Sequence, residues 1–178
     1  GSFIAFVCLM IICAYSQGFY APMFKRTWGW EAETYAVWNA LVLLAVGPLT
    51  VNIAGWLSDK MYSKYNRKDA PLLIVIFGAF ILVPTGIAVP LMPTPELAML
   101  VIAFNTFGIA ATSATSVTAL LNITPGVIRA QTVALYYMVI SITGLLLGPF
   151  TVGWLSDNIF GNENLNYACA AVPFIFGI

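Results

Sequence analysis

Gly47-Pro48-Leu49-Thr50-Val51-Asn52-Ile53-Ala54-Gly55-Trp56-Leu57-Ser58-Asp59 returns, shortened by three residues, as Gly148-Pro149-Phe150-Thr151-Val152-Gly153-Trp154-Leu155-Ser156-Asp157. The identical Gly-Trp-Leu-Ser-Asp strings lie 98 residues apart, and each closes a long apolar run on an acid. All fourteen charges of the 178-residue chain fall in five clusters: Lys25 to Glu33, Asp59 to Asp69, Glu96, Arg129, and Asp157 to Glu163. Between them the runs 1–24, 34–58, 70–95, 97–128 and 130–156 are free of charge. Each exceeds the ~20 residues that a helix needs to cross ~30 Å of hydrocarbon. A barrel strand needs only about 9–11 residues and alternates in polarity, so the runs predict helices. The expected helices are 3–24, 35–58, 71–92, 97–121 and 126–155, with a sixth, 166–178, cut short.

Composition excludes several functions. Hydrophobic residues make up 61% of the chain and charged residues 8%, against about 25% charged in a soluble domain. A water-exposed surface cannot be built from that, which rules out a soluble enzyme. Seven basic residues balance seven acidic ones, without the basic tract that nucleic-acid binding requires. The chain has no histidine, the commonest general base and metal ligand. Cys8, Cys13 and Cys169 stand singly in apolar stretches rather than in a zinc or redox spacing. The expectation is no catalytic residue, no metal and no cofactor. An opening Gly1-Ser2 and an end inside the apolar run Phe174 to Ile178 suggest a piece of a longer protein.

Alternate loops carry opposite charge. The loop 59–69 together with position 129 holds Lys60, Lys64, Arg67, Lys68 and Arg129 against Asp59 and Asp69; the other set holds Lys25 and Arg26 against Glu31, Glu33, Glu96, Asp157 and Glu163. By the positive-inside rule the first set is cytoplasmic, so the N-terminus is cytoplasmic and the first helix runs outward. Trp28, Trp30, Trp56 and Trp154 fall near helix ends, where indole rings favour the headgroup region.

Polar content separates the helices. The third, about Pro71 to Met92, has the single polar side chain Thr85, and the sixth has almost none after Tyr167; both are expected at the periphery. The fourth carries Asn105, Thr106, Thr112, Ser113, Thr115, Ser116 and Thr118; the first carries Tyr15, Gln17 and Tyr20; the fifth carries Gln131, Thr132, Tyr136, Tyr137, Ser141 and Thr143. Polar groups at such depth need a protein partner or a water-filled cavity. The cavity candidates are Tyr15, Gln17, Tyr20, Asn39, Asn105, Thr106, Thr112, Tyr136 and Tyr137. For the Ser and Thr residues close helix packing is the competing reading, as it is for Gly144 and Gly148. Gln17 and Tyr20, three apart, share a helix face, whereas the adjacent Tyr136 and Tyr137 do not. Thr124-Pro125 reads as an N-cap and first helical residue, starting the fifth helix at about Pro125.

The two copies end the second and fifth helices, so the repeating unit is three helices. Three is odd, and successive units must therefore have opposite topology, the inverted-repeat arrangement of secondary transporters. The expected fold is an all-α membrane protein, a six-transmembrane-helix half bundle built of two inverted three-helix repeats over 1–178.

Gly55-Trp56-Leu57-Ser58-Asp59-Lys60, with Arg67-Lys68 closing the loop, resembles the G-x-x-x-D-R/K-x-G-R-R/K signature of the major facilitator superfamily. Position 62 is Tyr where the pattern has Gly, and the basic pair lies four residues late. That looseness suits the family's second copy, between its eighth and ninth helices, which would make this chain the C-terminal half, helices 7 to 12. Ala21-Pro22-Met23-Phe24-Lys25-Arg26, and the stretch from Thr124-Pro125 through Arg129-Ala130-Gln131 to Gly148-Pro149, are similar to the bacterial spinster-like branch.

The resemblance implies a secondary transporter in the bacterial inner membrane that works by alternating access, with an N-terminal half of the same protein as its partner. Its implied cargo is a lysolipid or sphingoid-type solute; a sugar, organic anion or drug is the alternative, and a channel or structural membrane protein a more distant one. Gly55, Asp59, Lys60, Arg67 and Lys68 would form the cytoplasmic latch, with Asp59 set against the start of the fifth helix near Gly126. In a simpler reading Asp59 caps a solvated loop and the basic residues set topology. No ionisable Asp, Glu, Lys or Arg lies within a span, so a charge that couples transport to a proton would belong to the partner half.

Overall fold

The computed structural model describes residues 2–65, 69–161 and 164–177, and these are almost entirely helical, without a strand. Five helices are long and apolar enough to cross a membrane: α1, Ser2–Trp28; α2, Ala32–Lys64; α3, Ala70–Leu91; α4, Pro95–Ile123; and α5, Gly126–Phe160. The sixth, α6, is the shorter apolar helix Leu165–Gly177. A bilayer leaves a spanning backbone no water to bond with, so its N–H and C=O groups pair within each helix.

Local chemistry sets the ends. Gly29 closes α1 in the left-handed conformation, φ 70°, donating to Lys25 O while Trp30 N donates to Phe24 O. Only a residue without Cβ takes that conformation cheaply. Phe24, Trp28, Trp30 and Tyr35 gather their rings at 4.7 to 5.7 Å around this turn, fastening α1 to α2. At the start of α4, Thr94 Oγ1 accepts from Leu97 N and Pro95 occupies the first turn, a standard cap. The next junction differs from the sequence expectation. Thr124 does not cap α5: its hydroxyl donates back to Leu120 O at 2.8 Å, a 3₁₀ turn covers Gly126–Ile128, and regular α-helix begins at Arg129. A threonine at the end of α4 meets free carbonyls there, which need a donor more than the following turn needs an acceptor.

Both spans that close on the repeated string pass a proline. Pro48 sits inside unbroken α-helix, whereas Pro149 follows a widened π turn, Thr143–Leu147. The threonine two residues beyond each proline behaves alike: Thr50 Oγ1 donates to Val46 O and Thr151 Oγ1 to Leu147 O, both at 2.7 Å. A second irregularity lies across from the π turn. α1 tightens to a 3₁₀ turn at Ser16–Phe19, one residue past Tyr15. A Cβ on Gly144 would lie 2.7 Å from the Tyr15 ring, and one on Gly148 2.8 Å from Tyr15 Cβ. Tyr15 thus wedges against α5 where both helices lose regular geometry, as helices do where a side chain presses into the ladder. The equivalent proline in α2 has no such wedge and stays regular.

The tightest crossing joins α3 and α4. Gly78 and Gly108 face each other there, so that a Cβ on Gly108 would meet Leu82 N at 2.8 Å and Gly78 O at 2.9 Å. Small residues draw membrane helices together because lipid supplies no hydrophobic drive for association.

The distribution of burial overturns one expectation. In the apolar windows of α3 and α4, 39% and 44% of residues are buried, against 11% and 17% in α2 and α5. α6 buries Leu165, Ala168, Cys169 and Val172 in the main core. The two helices with least polar content are therefore packed, and the bare ones are those that end in the repeated string. Lipid and protein interior are equally apolar, so polarity alone does not distinguish a lipid-facing helix from a packed one.

Candidate functional site

Between α1, α2, α4 and α5 opens a groove of about 500 Å³, within the range of small-molecule sites. α3 and α6 contribute nothing to its wall. Tyr15 and Gln17 enter from α1, Thr106 and Ser113 from α4, Tyr137 and Ser141 from α5, with Gly47 and Leu43 of α2 closing the side. The positions follow from helical register: Thr106 and Ser113 are seven apart, and Tyr137 and Ser141 four apart, so each pair shares a face. Gln17 lies near the middle of α1, which puts the polar wall near mid-span.

A smaller cavity of about 300 Å³ adjoins the groove and shares Ile109, Ser113 and Tyr137 with it. Tyr136 lines it, 2% exposed, with its hydroxyl donating to Ser116 Oγ at 2.7 Å. Thr112 lines it too, and its hydroxyl donates to Gly108 O at 2.8 Å. Of the adjacent tyrosines, Tyr137 is half exposed and reaches both cavities, whereas Tyr136 is buried and reaches only the smaller.

Asn105 does not line the groove. It is 1% exposed and stands behind the wall, in a network across three helices. Its Nδ2 donates to Leu82 O at 2.9 Å and to Thr85 Oγ1 at 2.8 Å, and its Oδ1 accepts from Gln17 Nε2. All the amide's main hydrogen-bonding demands are met inside protein, as a buried carboxamide requires. Tyr20, three residues beyond Gln17, is 1% exposed and belongs to the core cluster with Phe24 and Tyr35 rather than to the groove. Their shared face passes from groove to core within one turn. Asn39 is half-buried on α2 and likewise stands outside the groove wall.

Of the latch candidates, Gly55, Asp59 and Lys60 lie on the exposed surface of α2, which continues to Lys64 and so places Asp59 within the helix and not in the expected loop 59–69. Gly55 has open space where a Cβ would stand. The Asp59 carboxylate is exposed and makes no hydrogen bond or ion pair with a described residue, Gly126 included. Lys60 Nζ lies 4.4 Å over the Trp56 ring, a cation–π contact within α2. Arg67 and Lys68 lie outside the described residues.

Helical spacing could have found Ser113 and Ser141, whose residue type reads in sequence as packing. The partner of Asn105 had no signal in sequence, because Gln17 and Asn105 are 88 positions apart. The groove offers hydroxyl, amide and aromatic groups and no carboxylate, ammonium or guanidinium. Among the described residues no group of three His, Cys, Asp or Glu is placed to hold a metal. Such a wall can bind and orient a neutral or amphipathic molecule by hydrogen bonds and apolar contact. No protein-family model matches the chain, and no curated protein or solved structure matches it.

Proposed function

We propose that the chain is the C-terminal six-helix half of a secondary transporter of the major facilitator type, made of two inverted three-helix repeats and working by alternating access in a bacterial inner membrane. The observation that carries this reading is a coincidence of place. The two spans that end in Gly-Trp-Leu-Ser-Asp are the least buried, and the groove with its mid-span polar wall opens between them and α1 and α4. Long apolar faces such as those of Leu44, Leu49 and Trp56 on α2 and Leu145, Leu146 and Phe150 on α5 suit apposition to a second six-helix unit, which would roof the groove and be the chain's partner.

The N-terminus is then cytoplasmic, and the Asp59 end of α2 faces the cytoplasm. Asp59 and Lys60 latch that side when it closes and release when it opens, so the latch biases one of two states. The spinster-like resemblance favours an amphipathic lysolipid or sphingoid-type solute; a sugar, organic anion or drug is the alternative, since the neutral wall accepts hydroxyls as well. A channel would call for a ring of charges or carbonyls, and no charged residue lines this groove. A proton or other coupling ion would bind in the partner half.

The test is uptake by the full-length protein in liposomes across a panel of lysolipids, sugars, organic anions and drugs. Saturable uptake of one class is expected, reduced about tenfold by Asp59→Asn, a loss of some 1.4 kcal/mol, at unchanged expression. No saturable uptake of any class, or channel-like ion currents, would contradict the transporter; wild-type uptake by Asp59→Asn would remove the latch.

A further inference from the structure

We infer that Gln17 presents a fixed hydrogen-bond acceptor, its Oε1, to the groove, and so selects a ligand whose polar head donates a hydrogen bond: a neutral hydroxyl on an apolar body. The orientation follows from the network behind it. Leu82 O is a backbone carbonyl and can only accept, so the Asn105 atom 2.9 Å away is the amide nitrogen. Thr85 confirms the assignment, because its one proton goes to Ile81 O at 2.6 Å, leaving Oγ1 to accept from the same nitrogen at 2.8 Å. The remaining atom of Asn105 is therefore Oδ1, an acceptor. Its partner on Gln17 has to be the donor Nε2, and the arm of the Gln17 amide turned from the network is Oε1. The positions of the two amides are thus settled by three helices together, not by the ligand.

Gln17 stands at the 3₁₀ turn of α1 and belongs to the groove wall. Two preferences follow. An acceptor-only group, such as an ether oxygen, would face Oε1 without a proton between them, and a buried acceptor left unmatched is costly. An ammonium would satisfy Oε1 but find no carboxylate in the wall to balance its charge. A hydroxyl satisfies both conditions, and Ile11, Leu43, Ile109 and Ile140 of the same wall receive its apolar body. This selection deepens the transporter proposal and rests on the groove's being its cargo site.

Octan-1-ol and heptyl methyl ether are isomers that differ in offering a donor, and serve as probes. Their binding to the full-length protein in lipid nanodiscs is measured by calorimetric titration, with empty nanodiscs subtracted. The alcohol is expected to bind about tenfold more tightly than the ether, the discrimination of one matched hydrogen bond. Gln17→Met removes both the acceptor and the penalty it imposes on the ether, so it should bring the two affinities together, the alcohol's falling and the ether's rising, and continued saturable binding of the ether shows that the groove is intact. Asn105→Leu, which frees the Gln17 amide to turn over, should narrow the ratio to less than about threefold. Equal affinities in the wild type, a ratio indifferent to Gln17→Met, or no saturable binding of either probe would overturn the inference. Selective, Gln17-dependent binding without uptake of any solute would sink the transporter reading and leave this subsite standing; uptake with equal affinities would do the reverse.

Discussion

Gly108→Leu is expected to leave no monodisperse protein on size-exclusion chromatography in mild detergent. A single added carbon at Gly108 would approach Leu82 N to 2.8 Å and Gly78 O to 2.9 Å, and both are backbone atoms that no rotamer change can move. The helices would have to part, and with them go the seating of Thr112 against Gly78 and the bonds from Asn105 to Leu82 and Thr85. Overpacking commonly costs about 1–3 kcal/mol; against backbone, in a bundle held by close packing rather than by hydrophobic drive, a loss of about 3 kcal/mol or more follows. Gly108→Ala should fall between, lowering the melting temperature in detergent without abolishing the folded peak. A wild-type melting temperature for Gly108→Leu would mean that α3 and α4 are not in close contact.

Gly144→Val should produce the second-largest loss, this time at the crossing of α1 and α5. Its added carbons meet Ile11 Cγ2 at 2.5 Å and the Tyr15 ring at 2.7 Å, groups that can turn but are themselves packed. A cost of about 1–3 kcal/mol is expected, with loss of probe binding in the groove because Tyr15 forms part of its wall. Tyr15→Ala removes the ring but leaves Ile11, the nearest contact at 2.5 Å, so combining it with Gly144→Val should recover part of the stability lost by Gly144→Val alone. Strict additivity of the two changes would show that Tyr15 does not wedge against Gly144.

These two crossings mark what the chain's pattern could and could not disclose. The long apolar helices were legible because charge is so scarce that five clusters alone cut the chain, and a charge-free run long enough to cross a bilayer reads as a helix. Gly144 and Gly148 were legible as a close-contact pair, but not the residue they receive, since Tyr15 lies far away along the chain. The irregular turns escaped for the same reason. Pro48 and Pro149 sit in matching strings, yet only the second follows a π turn, and the difference is the tertiary wedge. The polar residues of α1, α4 and α5 lie on helices that line the groove together with α2, because a polar group at depth has to be answered by something. They did not distinguish Asn105, answered by protein, from Gln17, answered by protein on one arm only. Burial of α3 and α6 was hidden altogether, as an apolar face reads the same whether it meets lipid or another helix.

Alternating access is most directly tested by the accessibility of the groove from the two sides of the membrane. With Cys8, Cys13 and Cys169 replaced by alanine, Ser113→Cys and Ser141→Cys place a thiol on two different helices of the groove wall, α4 and α5. A membrane-impermeant maleimide is then applied to the full-length protein in vesicles from outside or from inside. The transporter predicts that each thiol is labelled from either side, that a reagent locking one face closed abolishes labelling from that face while raising it from the other, and that the two never react from both sides at once. Simultaneous labelling from both sides would make the groove a channel, and labelling from neither would make it packing within a structural bundle.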